Sequence, residues 1–143
     1  MSKAVIKANI KMDSDRSFTV KVMPEEDKKW LMVLKNELSG KETELPACKS
    51  EEEVVGGFGQ TLAKLSMQIV WGHADTWEIG IDFCSGEKLF YGQTEGAQVI
   101  NNEGIRKIRE KMTGDNIKDS VDNIIEVAKY FIHELNNGNI SCQ

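Results

Sequence analysis

The residue group in this chain best suited to bind a ligand is Gly56-Gly57-Phe58-Gly59-Gln60-Thr61. Backbone amides of Gly57 and Gly59, with the Thr61 hydroxyl, could cradle a phosphate at a helix N-terminus. The segment lacks the lysine and spacing of a P-loop, and no strand precedes it as a dinucleotide fingerprint requires. Ser50-Glu51-Glu52-Glu53 matches a capping box, so the helix starts upstream and the glycines fall in its first turns. There each costs roughly 0.5–1 kcal/mol relative to alanine. Gly56, Gly59 and Ala63 share one side, which would let another backbone approach closely; that packing reading is favoured over a phosphate site.

Other candidates are weaker. Arg106 and Arg109 could hold phosphate while Trp77, Phe90 or Tyr91 stacks on a base. His73 and Asp75, with Glu78 nearby, could be metal ligands or a base with its orienting carboxylate, but the spacing fits no metal motif and a turn histidine is favoured. Glu78 and Asp82 share one side of a strand, yet four residues put them roughly 13 Å apart, too far for a paired-carboxylate site. Cys48, Cys84 and Cys142 form no CxxC pair and are odd in number, so reduced thiols are expected rather than a disulfide or zinc site. No GxSxG, HExxH or calcium loop occurs, and neither a catalytic set, a metal nor a cofactor is expected.

The elements that must position these residues follow from periodicity. Ile6, Ala8, Ile10 and Met12 alternate with Lys7, Asn9 and Lys11; after a turn at Asp13-Ser14-Asp15-Arg16, Phe18, Val20 and Val22 alternate with Ser17, Thr19 and Lys21. This predicts a β-hairpin with one apolar face. Pro24 followed by Glu25, Glu26 and Asp27 predicts a helix start, with Trp30, Leu31, Leu34 and Leu38 as its stripe and Gly40 as its end. A loop should run from Lys41 to Lys49. The capping box then opens a helix bearing Val55, Phe58, Leu62, Leu65 and Ile69 that ends before Gly72.

A second hairpin is expected with Trp77, Ile79, Ile81 and Phe83 inward, a turn at Ser85-Gly86 and a return strand from Lys88 to Gly92. That return strand leaves Phe90 on the side opposite Leu89 and Tyr91, an apolar ring in want of cover. Gln93 to Ala97 should be a loop. Asn101 or Asn102 should cap a short helix carrying Ile105, Ile108 and Met112, stopped by Thr113-Gly114-Asp115. Ile117, Val121, Ile124, Ile125, Ala128, Phe131, Ile132 and Leu135 mark a last helix that ends at Asn137-Gly138, and the tail from Asn139 to Gln143 is expected to fray. The expected fold is one α+β domain over residues 1–143, two hairpins of an antiparallel sheet against about four helices, in the order ββααββαα.

Composition bounds the function. The 143 residues carry 23 acidic and 18 basic side chains, a net charge of -5, which disfavours duplex nucleic acid as a partner. No apolar run is long enough to span a membrane, and Lys3 and Lys7 interrupt the N-terminus too early for a signal-peptide core, so the cytoplasm is expected. The first hairpin exposes Lys7, Lys11 and Lys21 and the second Glu78 and Asp82; with Phe90 and Tyr91 these opposite charges form a candidate interaction surface that could bring a second copy into register. The leading reading is a small non-enzymatic binding or regulatory protein, an inhibitor or adaptor acting through protein contacts as a homo-oligomer. The alternative is a small-molecule or nucleotide binder that takes a phosphate-containing ligand, and an enzyme built on His73 and Asp75 ranks third.

Overall fold

The fold is seen in a computed structural model, which describes residues 3–13, 15–92, 98–111 and 116–143. Strands β1 (Ile6–Met12) and β2 (Arg16–Pro24) form the first expected hairpin, with Ile6 opposite Val22 and Ile10 opposite Phe18. Strands β3 (Trp30–Asn36) and β4 (Glu42–Glu44) follow, then helix α1 (Glu51–Trp71), strands β5 (Trp77–Phe83) and β6 (Lys88–Gly92), and helices α2 (Glu103–Lys111) and α3 (Ile117–Asn136). All six strands join one antiparallel sheet in the order β4-β3-β2-β1-β5-β6. The expected Gln93–Ala97 loop, and the Met112 to Asp115 stretch expected to end the third helix, lie outside the described residues, as does Ser14 in the first turn.

The α+β class holds, but the expected four helices and ββααββαα order do not: among the described residues there are three α-helices, and the segment expected to be the first helix is strand β3, preceded by one short 3-10 turn at Glu26–Lys28. Trp30-Leu31-Met32-Val33-Leu34 is a continuous apolar run, and its stripe fits either period. As a strand it buries Trp30 and Met32 on one face and Val33 on the other. Leu38, which a helix would have turned inward, is 65% exposed in the turn beyond β3. The expected 41–49 loop contains β4, and Cys48 forms a bridge with Trp30.

One face of the sheet is dry. Ile10 and Val20 are fully buried, as is Ile79, and Ile81 is nearly so, because α1 and α3 lie over that face. Helix α1 packs on β1, β2 and β3 and against α3. On that same face, at the end of β5, α3 puts Phe131 against Phe83 with ring centroids 4.8 Å apart. Helix α1 starts as its sequence requires: the Ser50 hydroxyl accepts from the Glu53 amide, while the Glu53 carboxylate reaches back to the Lys49 amide. It ends before Gly72 as expected. Asn102 caps α2 by accepting from the Ile105 amide, and Asn116 caps α3 by accepting from Asp119.

The thiol expectation is corrected. Cys84 and Cys142 are joined by a disulfide across 58 positions, and Cys48 is a free, buried cysteine. Sequence spacing could not reveal the pair, because it depends on the chain after α3 returning to the β5–β6 turn. The tail expected to fray makes that return: Ile140 is buried, and the Gln143 amide donates to the Cys84 carbonyl.

Candidate functional site

The glycine segment lies inside α1, whose first residue is Glu51, so the amides of Gly57 and Gly59 are past the helix start, where amides have intrahelical partners. What these glycines provide is room. A Cβ on Gly57 would come within 2.6 Å of the Met32 methyl, and one on Gly59 within 3.1 Å of the Ile125 side chain on α3. Thr61 turns its hydroxyl back to the Gly57 carbonyl at 2.8 Å. Gly56 meets nothing.

The other expected ligand residues sit elsewhere. Tyr91 on edge strand β6 is four strand steps, roughly 19 Å, from the β3 strand that Gly57 touches. Its buried hydroxyl donates to the Asn123 side-chain oxygen, while the Asn123 amide donates to the Ile108 carbonyl. The Arg109 guanidinium stacks 5.0 Å from the Tyr91 ring centroid, so both are engaged in docking α2 and α3 onto β6. Burial pushes the Tyr91 phenol up to about 12, against a smaller downward pull from Arg109. Arg106 donates to the Ile100 carbonyl and pairs with Glu103 at 3.8 Å. The structure therefore separates the glycine segment from the Arg106, Arg109 and Tyr91 group.

The residues named for an interaction surface, except Tyr91, share one face of the sheet. Strand β1 pairs with β5, so Lys7 lies opposite Asp82 and Lys11 opposite Glu78 within one sheet. The two hairpins thus set opposite charges side by side within one sheet, without an ion pair between Lys7 and Asp82 or between Lys11 and Glu78. Lys21 completes the row beside Lys7. Phe90, opposite Gly80, is half-buried on this helix-free face. Beside it Gln98 uses its side-chain amide as a strand would, donating to the Phe90 carbonyl and accepting from the Phe90 amide.

His73 is an exposed residue with φ of 51° just after α1, and among the described residues no three potential metal ligands cluster. Nearby, Asp13 has a clear task. Its carboxylate accepts from the amides of Asp75 and Thr76, at 2.9 and 3.0 Å, and Arg16 lies 3.4 Å away. The Thr76 amide, more than any other contact, holds the Asp13 carboxyl below its usual range. Arg16 also leans over the end of α1: a Cβ on Gly72 would lie 2.9 Å from its guanidinium. A cation there complements the negative end of the helix.

This braced corner carries three of the five large hydrophobic side chains that are exposed among the described residues. Trp71 is 74% exposed, Val70 56% and Met67 46%. They face away from Leu62, Leu65 and Ile69, which fill the buried stripe of α1. Arg16, Lys64, Gln68 and Gly72 join Met67 and Trp71 around a shallow cleft of about 440 Å³. Sequence reasoning traced only the buried stripe of α1 and left this surface unnamed. The signal was present: once Ile69 completes the buried stripe, helical spacing turns Met67, Val70 and Trp71 away from it. Comparisons with protein-family models, with curated proteins and with solved structures find no match for this chain.

Proposed function

We propose that this chain is a non-enzymatic binding protein, a regulator of the inhibitor or adaptor kind, that works through protein contacts as a homo-oligomer. The observation that carries the reading is the exposure of Trp71, Val70 and Met67 on one face at the end of α1. An exposed tryptophan within an apolar cluster is costly to leave in water, and tryptophan is prominent among residues that dominate interface energies. Asp13 and Arg16 link the end of β1, the end of α1 and the start of β5 before any partner arrives. Preorganisation of this kind lowers the entropic cost of association.

A second copy suits the charge. The patch is rimmed by Lys64 and Arg16 while the whole chain carries a net charge of -5, so the cationic rim attracts the acidic surface of another molecule. For the cytoplasm expected from the sequence, the Cys84–Cys142 bond adds a condition: reducing surroundings would open it.

Acrylamide quenching tests the patch. In a Trp77→Phe protein the emission comes from Trp71 and from Trp30, which is 4% exposed and shielded from quencher. Trp71 should quench readily in dilute solution and become protected as concentration rises. Quenching that stays the same from dilute to concentrated protein would remove the self-association reading.

A further inference from the structure

We propose that the cleft on the helix-free face of the sheet, where β1 and β2 meet the C-terminal residues, binds phosphate groups through Lys3, Lys7 and Lys21. The cleft holds about 490 Å³, within the size range of small-ligand sites, and these three lysines line it together with Met23, Asp82 and Gln143. Lys7 and Lys21 are direct cross-strand partners. Their Cβ atoms therefore lie roughly 4.5–5.5 Å apart, an arrangement in which like charges destabilise a sheet.

Neighbouring carboxylates do not relieve the repulsion. Asp82 faces Lys7 across the β1–β5 pairing, but its carboxylate is paired with Lys88 at 3.9 Å. Among the described residues Lys3, Lys7 and Lys21 form no ion pair. Lys3 donates to the Gln143 carbonyl at 3.4 Å, which places its ammonium at the rim. Three lysines, two of them direct cross-strand neighbours, thus line one concave site beside a single side-chain carboxylate, in a chain that is acidic overall. Phosphate oxygens supply the missing acceptors and the countercharge. Lys7 and Lys21 on adjacent strands, with Lys3 at the rim, offer countercharge to more than one phosphate, so the ligand class is a diphosphate, free or carried on a nucleoside.

Calorimetric titration of the full chain with inorganic pyrophosphate, and separately with adenosine diphosphate, tests the site. Both should bind, more weakly as salt is raised. Equal affinities assign recognition to the phosphates alone, and tighter nucleotide binding assigns an added contact from the nucleoside; either result supports the site. The Lys7→Gln/Lys21→Gln protein should lose about tenfold or more in affinity, since each charge-assisted hydrogen bond removed is worth that much. Without ligand it should unfold at the same temperature as the native chain or higher, because the opposed charges are gone. Independently of any variant, pyrophosphate should protect Lys7 and Lys21 of the native protein from amine acetylation. No heat with either ligand, unprotected lysines, or undiminished affinity in the double variant would each overturn the proposal.

Discussion

Asp13 shows how a single carboxylate can hold three elements in place. It accepts from Asp75 and Thr76 at the start of β5 and meets Arg16, which leans on Gly72 at the end of α1. Its folded-state pKa is depressed, so its contribution is present above the unfolded value of 3.8 and is lost as pH falls through the lower folded value. Asp13→Asn, which keeps an acceptor but removes the charge, should flatten the acid limb of a stability-versus-pH curve, as followed by urea unfolding. Tyr91 behaves in the opposite sense. Its phenol is pushed up to about 12, so the stability it contributes is intact below the unfolded value of 10 and declines as pH rises toward 12. Tyr91→Phe leaves the fully buried Asn123 oxygen without its donor and should cost about 1–3 kcal/mol in denaturant unfolding at neutral pH. Gly56 offers a contrast within α1: a Cβ there meets nothing, so Gly56→Ala should stabilise by about 0.5–1 kcal/mol. At Gly59 the same methyl presses on Ile125 at 3.1 Å, and that gain should be lost.

At the scale of elements, legibility in the sequence tracked how one-sided each element is. β1, β2, β5 and β6 alternate cleanly, since one face is dry and the other wet, and α1 and α3 carry broad apolar stripes ending at cap residues. β3 was misread because apolar side chains stand on both of its faces, Trp30 and Met32 on one and Leu31 and Val33 on the other, which erases alternation and leaves a run that suits a helix equally well. The Cys84–Cys142 bond was invisible for a different reason: it joins a turn to the chain's last residues, and nothing local to either cysteine encodes the meeting. Loop-closure entropy across a separation of 58 residues amounts to about 4 kcal/mol. A Cys84→Ser/Cys142→Ser protein should lose stability of that order in urea unfolding, with Ile140 and its neighbours losing hydrogen-exchange protection first. Loss confined to a few tenths of a kcal/mol would mean that Ile140 packing and the Gln143 hydrogen bond hold the tail unaided.

For the whole molecule, a six-strand sheet with helices on one face leaves two surfaces to account for. The helix-free face carries Lys7, Lys11 and Lys21 beside Glu78 and Asp82, which were named from the sequence, and Lys88, which was not; the β1–β5 pairing brings the two hairpins together. The outer end of α1 carries Met67, Val70 and Trp71, and there the binding reading was made without its strongest residues. Both surfaces depend on long-range pairing, which periodicity does not report. The central claim, that the molecule associates through the Trp71 face, is tested most directly by sedimentation equilibrium of the native chain beside Trp71→Ser. Trp71 has little to lose in the folded monomer, being mostly in water, so the variant should unfold at an unchanged midpoint. The native chain should sediment as an oligomer at high concentration and the variant as a monomer. A native chain that stays monomeric throughout, or a variant that associates as strongly as the native chain, would contradict it.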